Sequence, residues 1–282
     1  MPRRVRVSAA ALALTAALLA GCQGEPSRPT LSWYINPDNG GQAQLAAKCT
    51  AAAGGRYRLV TSVLPNEATG QREQLVRRLA AEDASIDLMS LDPPFVAEFA
   101  AAGFLRPFAD NEAEGLTDGV LDGPVESARW DGELVSVPFW ANSQLLWYRK
   151  SVVAKAGVDP AGGPLTWEQV IAAAERTGTT VAVQGRRYEG YMVLINALVA
   201  SAGGSILANP EAGKDARPAL DSDAGRLGAA VISRLARSRA AAAGLSSADE
   251  EAARATFQRA GGGFMANWPY VYGAAQEAVA DG

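Results

Sequence analysis

The chain has 282 residues, of which 48% are hydrophobic and 20% are charged, a composition that is typical of a folded protein. It contains no histidine and only two cysteines, which excludes His-dependent catalytic triads, His-ligated zinc and Cys₄ metal sites. The 26 basic residues are outnumbered by 30 acidic ones, and a net charge of −4 argues against a nucleic-acid-binding surface. We therefore expect no metal, no cofactor and no nucleic-acid partner.

Residues 1–21 are predicted to be a secretory signal peptide, because arginines precede an apolar run that is shorter than a bilayer span. The run ends in Leu19-Ala20-Gly21-Cys22, which resembles a bacterial lipobox with Cys22 as the lipidated residue. Residues 22–29 would then be a polar tether. We expect an extracytoplasmic protein anchored to the cell membrane through Cys22, and an ordinary signal peptide with an incidental cysteine is the alternative.

After the tether, short strands alternate with amphipathic helices, which predicts an α/β fold with parallel-rich sheets that are flanked by helices. Strands are predicted at 30–35, 57–64 and 86–91, and helices at 41–53, 68–83, 95–102, 188–202 and 223–239. Two further helices are predicted from capping boxes, Thr166 with Gln169 and Ser247 with Glu250. A Gly-rich turn at 261–263 is expected to lead into another strand.

Ligands bind at the carboxyl ends of parallel strands, because the connecting loops converge there. The loop from Asn36 to Gly41 and the residue Asp92 both follow predicted strands.

Cys49 shares a predicted helix face with Leu45 and Ala52, which favours a buried and unreactive thiol.

Aromatic residues are concentrated in three segments that also carry amides or carboxylates, at 33–39, 139–148 and 267–272. Sugars need flat apolar faces beside hydrogen-bonding side chains. We predict that Trp140, Asn142, Trp268 and Tyr270 contact a ligand. Core or sheet positions are the expectation for three other aromatic residues, Trp33, Phe139 and Trp147.

The lipobox and four further motifs, in this order along the chain, resemble the extracellular solute-binding proteins of ABC sugar transporters. These motifs are Asn36-Pro37-Asp38-Asn39-Gly40-Gly41, Ser90-Leu91-Asp92-Pro93-Pro94, Val137-Pro138-Phe139-Trp140-Ala141-Asn142 and Phe264-Met265-Ala266-Asn267-Trp268-Pro269-Tyr270. The sequence is most similar to the maltose- and trehalose-binding group, which includes mycobacterial trehalose-binding lipoproteins.

The resemblance implies a two-lobed periplasmic-binding-protein fold of type II, in which a sugar lies in the cleft between the lobes. It implies hydrogen bonds to the sugar from Asn36, Asp38, Asn39, Asp92 and Asn142, and stacking by Trp268 and Tyr270. Glu250 is a further candidate ligand residue, with a purely capping role as the alternative.

Such proteins are usually longer, so the resemblance also implies that this chain is truncated at its C-terminus. We expect residues 30–140 to form the first part of lobe 1 and residues 141–265 to form lobe 2. Residues 266–282 would start the return to lobe 1. A disulfide from Cys49 to a cysteine in the missing part is an alternative to the buried thiol.

The predicted function is capture of a disaccharide, with trehalose as the expected sugar, and its delivery to a permease with a cytoplasmic ATPase. We expect a monomer without enzymatic activity. Maltose, another oligosaccharide or a sugar phosphate is an alternative ligand, and a glycoside hydrolase or a structural envelope lipoprotein is an alternative class of protein.

Overall fold

The computed structural model describes residues 28–38 and 40–280. The predicted signal peptide, Cys22 and Asn39 lie outside the described residues. Contacts within the chain define two compact units, of which the first ends at Ser90 and the second begins at Leu91. The lobe boundaries that follow residues 140 and 265 stay predictions.

The first unit is a three-stranded parallel sheet with the strand order β2-β1-β3 and two connecting helices. Its elements are β1 (Thr30–Ile35), α1 (Gly41–Ala52), β2 (Arg58–Val63), α2 (Ala68–Ala80) and β3 (Leu88–Met89). The first two strands are paired along their whole length, from Thr30 opposite Arg58 to Ile35 opposite Val63. The predicted parallel sheet is confirmed here, although β3 is shorter than expected.

The core of the first unit contains Trp33, Ile35 and Ala46, with Leu59 packed against them. This confirms the core position predicted for Trp33. The predicted buried face of α1 is wrong, because Leu45 is exposed and Cys49 is only half-buried. Instead, α1 buries Gln42 and Ala46, since hydrogen bonds allow the polar Gln42 side chain to take an interior position.

The second unit combines many helices with small sheets. Its helices are α3 (Pro93–Ala101), α4 (Asp110–Thr117), α5 (Asp122–Ser127), α6 (Lys150–Ala156), α7 (Trp167–Thr177), α8 (Glu189–Ser201), α9 (Asp223–Ala236), α10 (Glu250–Gln258) and α11 (Tyr270–Ala280). Its strands are β4 (Arg129–Trp130), β5 (Glu133–Leu134), β6 (Leu145–Tyr148), β7 (Thr180–Ala182), β8 (Leu207–Ala208), β9 (Arg217–Pro218) and β10 (Gly262–Asn267). Short 3₁₀ turns occupy Pro210–Asp215 and Leu245–Ser247.

The strand β10 is the centre of a mixed sheet with the order β6-β10-β7, antiparallel to β6 and parallel to β7. All six of its residues are buried, as expected for a central strand that is covered on both faces. The adjacent core includes Phe264, Ile171 and Leu194, which lie on different elements. This sheet carries Asn267 at its carboxyl end, directly before Trp268.

The capping box at the start of α7 is confirmed. The Thr166 side chain accepts a hydrogen bond from the backbone of Gln169 (3.2 Å), and the Gln169 side chain accepts one from the backbone of Thr166 (2.8 Å). The second predicted box is wrong, because Asp249 is the cap of α10 and accepts from Ala252 N at 3.0 Å. Glu250 therefore has no capping-box role with Ser247.

Among the helices of residues 28–38 and 40–280, none combines the length and the hydropathy that a bilayer crossing requires. In the same part of the chain, no group of three or more histidine, cysteine, aspartate or glutamate residues is arranged to hold a metal ion.

Candidate functional site

In the first unit, the loop after β1 carries two of the predicted ligand residues, Asn36 and Asp38. Asp38 is exposed, and its carboxylate accepts hydrogen bonds from Gly40 N (3.0 Å) and Gln42 N (2.7 Å) at the start of α1. Burial acts to raise the pKa of Asp38, but these backbone N–H groups outweigh it and lower the pKa. Asp38 is therefore a negatively charged group that is fixed at a helix N-terminus.

Gln42 holds the same loop against the end of β3. Its Nε2 donates to the backbone oxygen of Asn36 (2.9 Å), and its Oε1 accepts from Ser90 Oγ (3.2 Å). The Asn36 Oδ1 atom is buried and has no hydrogen-bond partner among the described residues. A buried carbonyl without a partner costs free energy, and a ligand hydroxyl is one group that can satisfy it.

In the second unit, Asp92 occupies the position before α3 but does not cap it with its side chain. Two prolines follow it, and they suit the first turn of a helix, where N–H groups have no intrahelical partner. Burial raises the pKa of the Asp92 carboxyl, and among the described residues no hydrogen bond or nearby cation offsets this effect. Asp92 is thus a half-buried carboxyl group whose acceptor oxygens are available to a ligand.

The segment around Trp140 lacks regular secondary structure from residue 135 to residue 144. Phe139 and Trp140 are 51% and 52% exposed, and their ring centroids are 4.6 Å apart. The core position predicted for Phe139 is therefore wrong, because its ring packs beside Trp140 at the surface. Asn142 is exposed two residues further along the chain.

Asn267 is completely buried and orients the residues at the end of β10. Its Nδ2 donates to the backbone oxygen of Glu250 (2.9 Å), and its Oδ1 accepts from the backbone N–H of Trp268 (2.9 Å). The indole Nε1 of Trp147 donates to the Asn267 backbone oxygen at 3.0 Å, which confirms that Trp147 is a sheet residue. Asn267 was not among the predicted ligand residues, although the sequence marked it as the amide of the aromatic segment at 267–272.

The side chains of Glu250 and Tyr188 meet above Gly190, at the start of α8. A Cβ atom on Gly190 would lie 2.3 Å from the Tyr188 hydroxyl oxygen and 3.0 Å from Glu250 Oε1. Burial raises the pKa of Glu250, partly opposed by the Tyr188 hydroxyl and by Arg186. Burial and the Glu250 carboxylate together raise the pKa of Tyr188, which stays a neutral phenol.

Tyr270 begins α11 and is 41% exposed. Burial of its hydroxyl and a hydrogen bond to the Glu251 carboxylate raise the pKa of Tyr270. Burial acts to raise the pKa of Glu251 as well, but Arg254, whose Nη2 lies 2.5 Å from Glu251 Oε2, and Tyr270 lower it overall. Glu251 is therefore an ionised neighbour that fixes the direction of the phenol.

Hydrogen bonds and close electrostatic contacts in the second unit connect several predicted ligand residues, and we call these residues with their partners the β10 cluster. It comprises Tyr188, Glu250, Glu251, Asn267, Trp268 and Tyr270. Within the described residues, no hydrogen bond or ion pair joins Asp92, Trp140 or Asn142 to this cluster. The placement of these three residues in a common site stays a prediction.

A family model described as "Bacterial extracellular solute-binding protein" matches residues 60–281. The match covers more than half of the chain, and the protein belongs to this family.

The chain is similar to curated proteins that are considerably longer. It is 38% identical over 89 residues to the sn-glycerol-3-phosphate-binding periplasmic protein UgpB of Agrobacterium fabrum, an alignment that covers 30% of this chain and 20% of that protein. It is 30% identical over 162 residues to a probable ABC transporter-binding protein of Deinococcus radiodurans, covering 52% of this chain and 36% of that protein.

The fold is that of the type II periplasmic binding proteins, which confirms the predicted fold class. Maltose-bound MalE3 of T. maritima matches with a TM-score of 0.71 and 25% identity, over 86% of this chain and 62% of that chain. The GacH receptor of Streptomyces glaucescens matches with a TM-score of 0.68 and 21% identity, over 86% of this chain and 61% of that chain. The present chain thus spans about three fifths of the length of these two solved relatives.

Proposed function

We propose that this protein is the substrate-binding component of an ABC importer, that it binds a neutral sugar outside the cytoplasm, and that it delivers the sugar to a permease. Trehalose is the proposed ligand, and lipidated Cys22 is the proposed membrane anchor. The proposal is supported by the family match and by the chemistry of the candidate site residues. The observation on which it mainly depends is the half-buried Asp92 carboxyl, which has no partner within the described chain.

A carboxyl group in this state is suited to sugar hydroxyls. Its oxygens are hydrogen-bond acceptors, and hydroxyl donors would replace the water that burial has removed. The β10 cluster adds the neutral phenol oxygens of Tyr188 and Tyr270 as hydrogen-bonding groups and the Trp268 ring as an apolar face. Aromatic faces beside such polar groups are the usual arrangement for ligands that are partly apolar and rich in hydroxyls.

The charges of the candidate residues favour an uncharged ligand over a phosphate ester. Asp38, Asp92 and Glu250 are carboxylic acids, and the predicted ligand residues include no lysine or arginine. Arg186, the cation beside Glu250, forms an ion pair with Asp249 at 3.2 Å. Phosphate recognition normally uses arginine or lysine groups that are free to face the anion, so we place neutral disaccharides and polyols above sugar phosphates.

Isothermal titration of the full chain tests this proposal. Trehalose, maltose, mannitol and sn-glycerol 3-phosphate are titrated separately, because the last three represent ligands named for relatives or solved neighbours. We expect heat with a neutral sugar or polyol and none with the phosphate ester. Binding of the phosphate ester alone would contradict the charge argument, and absence of heat with every ligand would contradict the proposed binding function.

The Asp92→Asn variant is titrated in the same way, and Asp118→Asn is its control. Asp118 is an exposed carboxylate at the end of α4, so its substitution removes a charge away from the proposed ligand residues. The bound sugar is recovered after each titration and analysed by chromatography. An unchanged sugar is expected of a transport receptor, whereas release of glucose from trehalose would support the hydrolase alternative instead.

A further inference from the structure

Basic side chains gather at the amino-terminal edge of the sheet in the first unit. Arg28 precedes β1, Arg56 and Arg58 lie at the start of β2, Lys48 is near the end of α1, and Arg77 is in the last turn of α2. Each helix runs from the carboxyl edge of the parallel sheet back to its amino edge, so its end lies beside the strand starts. All five side chains are in exposed residues.

Hydrogen bonds at this edge hold Arg28 against adjacent segments of the same unit. Its Nε donates to Tyr57 O (2.8 Å), and its Nη2 donates to Thr50 O (3.1 Å). In the same region, Arg56 Nε donates to Ala53 O at 3.0 Å. These contacts fix guanidinium groups near the surface without neutralising them, because carbonyl oxygens carry no net charge.

Acidic residues at the same edge do not balance these charges. Asp83 forms an ion pair with Arg78 at 2.8 Å, so this pair adds no net charge. Glu82 and Asp87 are the exposed acids here, and Asp87 Oδ2 accepts a hydrogen bond from Ser32 N at 2.7 Å. This edge of the sheet therefore carries five exposed basic residues and two exposed acidic residues.

The opposite edge of the same sheet has the reverse character. Asp38 lies in the loop before α1, and Glu67 caps α2 through Gly70 N and Thr69 N. The described residues of the loops at 36–41 and 64–67 contain no lysine or arginine. The charge of the first unit is thus polarised along the strand direction.

We propose that the basic edge docks the first unit onto the anionic phospholipid headgroups of the membrane. The predicted lipidation site, Cys22, is six residues before Arg28, and a segment of six residues reaches at most roughly 20 Å. A lipid anchor at Cys22 would therefore keep the basic edge near the bilayer surface, where charges act over about 8–10 Å. Docking in this way directs the carboxyl edge, with Asn36 and Asp38, away from the bilayer.

Vesicle binding of the full chain tests this inference. The double variant Lys48→Glu/Arg58→Glu is compared with Arg217→Glu/Arg237→Glu, which makes the same change in net charge at exposed positions of the second unit. Vesicles contain phosphatidylcholine alone or mixed with phosphatidylglycerol. The N-terminal segment is the same in all proteins, so its own affinity for the membrane cancels in the comparison.

Each basic residue near an anionic surface contributes about 1 kcal/mol, which corresponds to about fivefold in partitioning. We expect the Lys48/Arg58 variant to bind phosphatidylglycerol vesicles at least about 25-fold more weakly than the wild type. The Arg217/Arg237 variant should keep most of the affinity, and high salt should remove the difference. Binding to pure phosphatidylcholine should be equal for all three proteins.

Equal weakening by both double variants would overturn the proposal, because the effect would then come from net charge alone. Competition by inorganic phosphate at constant ionic strength would also overturn it, since that result indicates a discrete phosphate site. Near-UV circular dichroism checks the fold of each variant, and Arg77→Glu serves as a single substitution if the double variant does not fold. Sugar titration of the same proteins is independent of these outcomes.

Discussion

Replacing Asp92 with asparagine separates a ligand-binding role of this carboxylate from a structural role. A carboxylate that is kept for the ligand and lacks a partner in the fold predicts higher stability of the variant, whereas a carboxylate that stabilises the fold predicts lower stability. Burial raises the pKa of Asp92, so the folded protein disfavours the ionised form. Asparagine has nearly the same shape without the charge. We therefore expect Asp92→Asn to raise the free energy of unfolding at neutral pH by on the order of 1 kcal/mol.

The pH dependence follows from proton linkage. Because the pKa of Asp92 is higher in the folded state than its ordinary value of 3.8, the folded state binds more protons than the unfolded state between these two values. The contribution of Asp92 to stability therefore decreases as pH rises through this window. The advantage of Asp92→Asn should be largest above the raised pKa and should disappear below about pH 3.8.

The same substitution should weaken sugar binding. A hydrogen bond to a charged group contributes about 1.5–3 kcal/mol, so Kd should rise about 10- to 150-fold. Thermal unfolding across pH and isothermal titration with the bound sugar measure the two effects on one protein sample. Asp118→Asn, which removes an exposed carboxylate, should change neither quantity appreciably.

Two results would refute this reasoning. Lower thermal stability of Asp92→Asn at neutral pH would show that the carboxylate has a stabilising partner in the folded protein. Unchanged affinity, together with higher stability, would show that Asp92 is buried without contacting the sugar.

Three further substitutions test the β10 cluster and the local structure. Trp268→Ala should reduce affinity for the sugar by about 1–3 kcal/mol, whereas Trp268→Phe keeps an aromatic face and should lose less; equal losses in titration would contradict a stacking role. Gly190→Ala should lower the free energy of unfolding by about 1–3 kcal/mol through overpacking, whereas Gly115→Ala, in an exposed helix with no atom near the new Cβ, should not; urea unfolding compares them. Thr166→Ala should cost about 1 kcal/mol through loss of a cap, while Ser247→Ala should change stability little, and the reverse order would contradict the observed caps.

Local signals predicted the elements of the first unit and most of the longer helices of the second. They missed the short helices α4, α5 and α6, and they assigned one cap wrongly where two polar groups competed. The Thr166 box was predictable because the cap and its reciprocal partner are the only suitable pair at that helix start. At the next predicted box, Asp249 lies between Ser247 and Glu250 and is itself a strong cap. The spacing alone does not show which of two adjacent oxygen-bearing side chains captures the free N–H groups.

Burial was less predictable than secondary structure, because hydrogen bonding can reverse the usual preference for apolar residues. Gln42 is 3% exposed while Leu45 on the same helix is exposed. The interior position of Gln42 depends on Asn36 and Ser90, which lie outside the helix and provide an acceptor and a donor, and Ser90 is 48 residues further along the chain. A pattern of apolar residues in one helix contains no information about partners of this kind.

The candidate site could be predicted as a set of residue types but not as a connected structure. Trp268 and Glu250 were separate predictions, one from aromatic content and one from the family resemblance, with a cap as the alternative role of Glu250. Asn267 connects them, because one amide donates to the backbone of Glu250 and accepts from the backbone of Trp268. An amide with zero exposure can satisfy both groups only if the end of β10 and the start of α10 keep a fixed separation. The position of the Trp268 backbone is therefore fixed by a buried side chain that we do not expect to touch the sugar.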